Sequence, residues 1–183
     1  MFTGADAEHV AADLPPDAAA VLRRLAEQHA ILSQAFPWGT TPSLLMVLDR
    51  TAGGEVRNQS TTLGHRIWPI DALVEVLEAC AVVVKAPEQR RYVGVAVYVE
   101  LASILDVRDD TMKPYRGFLG SLADGTLVDA GTYGGDEDSW FSAQVPDAMA
   151  LPPDAVRAAL IPICRVFAPA PLPPGHPLRS PRP

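Results

Sequence analysis

Ten residues in the middle of the chain alternate almost without a break: Tyr92-Val93-Gly94-Val95-Ala96-Val97-Tyr98-Val99-Glu100-Leu101. Successive side chains of an extended strand point to opposite faces, so a period of two sorts this segment into two surfaces. Val93, Val95, Val97, Val99 and Leu101 make one that is apolar throughout, a core face. Tyr92, Gly94, Ala96, Tyr98 and Glu100 make the other, which is small in its middle, so a helix or a ligand can approach it closely. The segment is expected to be a central strand with its second face partly open to solvent or to a partner.

The rest of the chain supplies what such a strand needs around it. Pro15-Pro16-Asp17 opens a helix, because proline presets the dihedrals of a first turn and an acid there complements the dipole. Val21, Leu25, Leu32 and Phe36 continue it at helical spacing, and Pro37 stops it. His29 falls on the same apolar stripe, where a lone histidine is expected to be a hydrogen-bonded core residue. Ser43–Leu48 is a short apolar run that reads as a buried strand, and Glu55–Thr62 as a polar edge strand returning from Gly53-Gly54. Leu63–Trp68 reads as a loop.

From Pro69, residues Ile70, Leu73, Leu77, Cys80 and Val84 repeat at three and four, and Val82 and Val83 widen this helix's apolar arc. Asp106–Pro114 is charged and reads as a loop. Asp124-Gly125 lies between strand-like runs, Tyr115–Leu122 and Thr126–Tyr133. That is a hairpin signal, and a two-residue turn pairs Leu122 with Leu127 and Phe118 with Gly131. Leu151-Pro152-Pro153-Asp154 opens a last helix, with Val156, Leu160 and Ile163 on its stripe and Pro162 expected to kink or end it.

These elements predict one α+β domain over residues 14–167, with a four- or five-stranded mixed or antiparallel sheet and about three helices packed mainly on one face. Residues 1–13 are expected to be a flexible N-terminus. Residues 168–183, seven of them proline, are expected to be a disordered tail.

The chain has 183 residues, eighteen prolines and a formal charge of −7. An acidic body argues against wide nucleic-acid or anionic-membrane surfaces, which need a concentrated basic face. Two cysteines, Cys80 and Cys164, both in apolar stretches, make neither a disulfide framework nor a zinc site. No apolar run reaches the length of a membrane span, and the N-terminus lacks the apolar core of a signal peptide. A cytoplasmic location is expected. No cofactor is implied.

Tyr133-Gly134-Gly135-Asp136-Glu137 resembles the start of the Gly-Gly-Asp-Glu-Phe signature of diguanylate cyclases. The resemblance implies a hairpin tip where substrate phosphate approaches the glycines and a motif carboxylate holds a metal. It covers five residues. The fifth signature position is Asp138 rather than phenylalanine, and the upstream acids Asp106, Asp109 and Asp110 lack the companions that the family places beside its second metal ligand. Read without the resemblance, Asp136, Glu137 and Asp138 are a solvated acidic loop or a weak divalent-cation site.

Three further groups are candidates. Asp49, His65 and Arg66 suit acid–base chemistry on an anionic substrate if they converge, with a small hydrolase or transferase as the implied class. Pro174, Pro177 and Arg179 fall in a Pro-x-x-Pro-x-Arg pattern of the kind read by SH3-type grooves, beside a lone His176. Trp38, Trp68 and Trp140 sit at loop edges and cap the core or form an aromatic patch for a protein partner. No coherent catalytic set stands out. The expectation is a small non-enzymatic interaction or accessory protein that binds a protein partner or itself. The hydrolase or transferase and a degenerate cyclase-like nucleotide binder are the alternatives.

Overall fold

A computed structural model describes residues 14–83, 91–106, 110–134, 139–144 and 155–167. In chain order the elements are α1 (Pro16–Ala35), β1 (Pro42–Arg50), β2 (Val56–His65), β3 (Ile67–Trp68), α2 (Ile70–Val83), β4 (Arg91–Asp106), β5 (Thr111–Leu122), β6 (Leu127–Tyr133), β7 (Trp140–Gln144) and α3 (Ala155–Phe167). The strands form one sheet in the order β2-β1-β4-β5-β6-β7, antiparallel at every step. β3 lies against β4 in parallel, with Ile67 beside Glu100 and Trp68 beside Leu101. The class is α+β, and the strands among the described residues number seven rather than four or five.

The extra strands come from segments that resemble loops by composition. β2 runs on to His65, and β3 occupies part of the stretch expected to be a loop. β4 runs to Asp106 and β5 starts at Thr111, inside the segment whose charges suggested a loop, and Asp110 has φ 56°. β7 follows the acidic stretch and has no run of branched residues to announce it.

Helices cover both faces of the sheet. Leu73 and Leu77 of α2 and Val156, Leu160 and Ile163 of α3 pack on Val95, Val97, Val99, Leu101, Tyr115 and Leu119. Ala18, Val21 and Leu25 of α1 pack on the other face, against Met46, Leu48, Ala96, Tyr98, Phe118 and Val128. The second face of β4 is therefore core, not open: Tyr98 is fully buried. Gly94 and Gly120 are hemmed in by the neighbouring strands: a methyl group on Gly94 would meet Leu122, and one on Gly120 would meet Val128 and lie 3.2 Å from the Ala96 side chain.

The register departs from simple alternation: the β4–β5 ladder shifts between Leu101 and Ile104, and two further departures change which side chains meet. The β1–β4 register slips between Leu48, opposite Gly94, and Asp49, opposite Tyr92. Val93 is the extra residue of this bulge. It packs with the α1 core, and Tyr92 meets Phe167 of α3 at 5.0 Å between ring centroids. A bulge re-aims side chains in this way.

The β5–β6 hairpin exists, but its loop holds three residues, Ala123, Asp124 and Gly125. Leu122 donates its N–H to the Thr126 carbonyl, Gly125 donates to Leu122, and Gly125 has φ 90°. This is a turn followed by a glycine bulge. Phe118 consequently faces Ala130, and Gly117 faces Gly131. Tyr115, not Phe118, covers Gly131.

Val82 and Val83 are exposed, so the end of α2 is not covered as its composition suggested. Pro162 lies inside α3, which continues to Phe167. Residues 1–13, the tail from 168 and the expected start of the last helix at Leu151–Asp154 lie outside the described residues.

Candidate functional site

The pairing of the central strands sets a row of polar residues across the α1 face. Tyr98 lies opposite Phe118, Glu100 opposite Arg116, and Arg116 opposite Thr132. Paired residues share a face, so Glu100, Arg116 and Thr132 form one line across β4, β5 and β6. All three lie beyond the apolar footing of α1. His29, from the second half of that helix, reaches the line with Nε2 3.0 Å from the Thr132 hydroxyl. Its ring centroid is 6.0 Å from that of Tyr98.

Over the row runs the chain that leaves α1, Phe36 to Thr41, tied down from below. The Gly39 N–H and the Thr41 hydroxyl each donate to the Glu100 carboxylate at 2.7 Å. Arg116 Nη1 donates to the Phe36 carbonyl at 2.9 Å and lies 3.8 Å from Glu100 Oε1. The same guanidinium lies 4.6 Å from the centroid of Trp38. Glu100 is 1% exposed and Arg116 7% exposed, so the pair is shielded from water and its attraction is strong. The result is a strap held by charge-assisted hydrogen bonds over a closed polar cluster.

Burial governs the protonation of the cluster. It lowers the pKa of His29 to about 4, and the nearby Arg116 charge adds to the effect, so the imidazole is neutral at physiological pH. It also raises Tyr98, with Glu100 adding to the shift and Arg116 opposing it, so the phenol stays protonated. His29 Nδ1, Tyr98 Oη and Arg116 Nε are buried with no hydrogen-bond partner.

Past the strap, no helix among the described residues covers the α1 side of the sheet. β5 places Met112, Pro114 and Arg116 on that face in succession, and Leu105 of β4 pairs with Met112. Ile67, paired with Glu100, points the same way. Met112 is 60% exposed, Ile67 48%, Leu105 43% and Trp38 42%. These four large apolar side chains share one face at one end of the sheet.

A second polar group lies beneath α3. The Tyr115 hydroxyl hydrogen-bonds the Asp129 carboxylate and lies 3.0 Å from the Phe118 carbonyl, and Arg157 Nη2 is 3.0 Å from Asp129 Oδ2. Tyr115 is pushed well up by burial and by the Asp129 charge. Beside the β5–β6 turn, a depression of about 240 Å³ is bordered by Ser121, Asp124, Cys164 and Arg165. Burial raises the Cys164 thiol to about 11, which keeps it protonated and unreactive. Burial also raises Cys80.

The residues singled out for acid–base chemistry are not brought together. Asp49 is buried and forms a two-point pair with Arg57 across β1 and β2, at 2.7 and 3.0 Å. That bond and the Asp49 charge raise the Arg57 pKa. His65 pairs with Pro42 at the other end of the same ladder. Seven residues of strand separate the two positions, about 23 Å. Arg66 instead lies over the Trp68 ring, 3.5 Å from its centroid.

Of the tryptophans, only Trp38 is exposed. Trp68 is buried, with Nε1 donating to Ser43 Oγ at 2.6 Å, and Trp140 is half-buried on β7. Gly134 ends the β6 side of the connection to β7, and its N–H donates to Pro114 at 2.6 Å. Asp136, Glu137, Asp138, Pro174, Pro177 and Arg179 lie outside the described residues. Among the described residues, no three His, Cys, Asp or Glu gather as a metal site would require. No helix among them is long and apolar enough to cross a membrane.

Sequence reasoning placed His29 in the core and named Trp38, but it did not join them to Glu100 and Arg116. The available signal was Glu100 itself, a carboxylate at the end of a valine-rich central strand, which requires a buried partner. No protein-family model, curated protein or solved structure matches the chain.

Proposed function

We propose that this is a non-enzymatic interaction protein that docks a protein partner on the uncovered end of its sheet, on the α1 side. The observation that carries the reading is the exposed cross-strand pair Leu105–Met112, with Ile67 and Trp38 on the same face. Grouped apolar side chains of this size are retained at a surface where something covers them. The strap supports the reading from beneath. Glu100 and Arg116 fix the backbone around Trp38, so the aromatic ring is presented with little conformational freedom left to lose on binding.

Site-specific photo-crosslinking in cells tests the proposal. A benzophenone side chain at position 112 should capture one protein that the same probe at Glu75, on the exposed face of α2, does not. Purified partner should then bind the native chain and not Leu105→Asp. Equal labelling from both positions, or undiminished binding by Leu105→Asp with its fold intact, would reject the reading.

A further inference from the structure

We propose that two copies of this chain associate by antiparallel pairing of their β2 strands, joining the two sheets into one. The inference is independent of the docking surface above and rests on the edge strand β2.

Among the described residues β2 is the outermost strand of the sheet path, and it runs ten residues, Val56–His65. In an antiparallel strand, alternate residues turn their N–H and C=O groups away from the existing neighbour, so about five residues of β2 face outward. Edges of this length are commonly blunted by lysine, proline, inward charges or helical cover. β2 has few of these devices. Gln59, Ser60, Thr61 and Thr62 are all exposed, so neither face is covered along its middle. Its single arginine, Arg57, is engaged with Asp49 of β1, and Asn58–Gly64 carries no charge in a chain of net −7. The only irregularity is a register slip near Leu63, at one end.

The geometry also selects the register. A continuous sheet made by a two-fold operation on an edge strand needs the axis normal to the sheet, which keeps each face on its own side. Paired residues must then come from the same face. Arg57, Gln59 and Thr61 share the side of Val47 and Leu45, toward α2 and α3; Asn58, Ser60 and Thr62 share the α1 side. The axis therefore passes at a residue, and two centred registers result. With the axis at Gln59, each glutamine faces its own mate, Asn58 faces Ser60, and Arg57 faces Thr61. With the axis at Ser60, Asn58 faces Thr62, Gln59 faces Thr61, and Arg57 faces Leu63. Neither register opposes like charges, and both align uncharged polar side chains that hydrogen-bond across strands. A second copy is the occupant that matches this strand on both faces at once.

Equilibrium sedimentation of the full chain tests the pairing. The native protein should sediment as a dimer, at twice its 19.6 kDa. Gln59→Lys with Thr61→Lys opposes like charges in both registers and should weaken dimerisation by about tenfold or more. Both positions are exposed, and circular dichroism checks that the fold survives. Mixing this variant with Gln59→Glu/Thr61→Glu should restore a dimer more stable than the lysine variant forms alone, a rescue that folding damage would not show. Three results would overturn the proposal: a native chain that is monomeric, including one whose β2 amides resist hydrogen exchange because its own residues cover the edge; a dimer indifferent to both charge variants; and a mixture that fails to reassociate.

Discussion

Acid should destabilise this protein through His29 in a way that one substitution isolates. The imidazole is buried against Thr132, Tyr98 and the Arg116 charge, and its pKa falls from 6.5 to about 4. The sign follows from which state binds the proton. Unfolded chains take it up as pH falls through 6.5, whereas the folded chain does not until about pH 4. The contribution is therefore fully present above 6.5 and is lost progressively as pH drops between the two values. The loss is about 1 kcal/mol at pH 5.5 and about 3 kcal/mol at pH 4. Carboxylates titrate over the same range, so the absolute stability is not diagnostic. The informative quantity is the difference between the native chain and His29→Gln, which keeps a polar group near Thr132 and cannot protonate. Urea unfolding at pH 7.5, 5.5 and 4 should show that difference moving by about 3 kcal/mol in favour of the variant. A difference that stays constant with pH would refute the reasoning, since it would mean that His29 protonates as easily folded as unfolded.

Two further substitutions probe the polar groups on opposite faces of the sheet. Glu100→Ala removes the strap's two hydrogen bonds to Glu100 and leaves Arg116 buried, so it should cost about 3–5 kcal/mol in urea unfolding, whereas Glu100→Leu with Arg116→Met should cost much less because no charge is left behind. Tyr115→Phe deletes the hydroxyl that meets Asp129 and should cost about 1–3 kcal/mol by the same assay, with little change at the Phe36–Thr41 strap on the other side of the sheet.

What the sequence disclosed tracks how local the cause is. The β4 strand was legible because alternation is a property of neighbouring residues, and α1 because prolines and an acid mark its start. The β5–β6 hairpin was legible in Asp124-Gly125, but its register was not. Including Ala123 in the loop moves every pairing by one, and that choice is made by backbone hydrogen bonds at the turn. The inversion of Tyr92 and Val93 is of the same kind, since a bulge is set by both strands of a pair. The polar row was least legible. Glu100, Arg116 and Thr132 are far apart in the chain and meet only once two registers are specified, and His29 joins them from a helix on another layer. Asp49 and His65 erred in the opposite sense. They are close in sequence, yet an antiparallel ladder carries them to opposite ends.

The buried pair in the polar row has a consequence for the strand that organises the fold. Val95, Val97 and Val99 present nearly the same surface to α2 and α3, so a slip of β4 by two residues would keep every valine on its correct face at small cost in burial. Hydrophobic pattern alone leaves that register weakly specified. Glu100 and Arg116 do not tolerate the slip. A shift of two would set Arg116 beside Tyr98 or Ala102, and the Glu100 carboxylate would lose a buried partner while still enclosed by the strap. The small residues act in the same direction, because Gly117 must meet Gly131 for Tyr115 to lie across them. A buried ion pair adds little net stability over apolar residues of similar size. Its presence in this sheet is better explained by the register it enforces. Past Leu101 the β4–β5 ladder shifts by one residue before Leu105 meets Met112, so the pair fixes the sheet up to that shift, where Ile67 of β3 lies beside Glu100 itself at the open end.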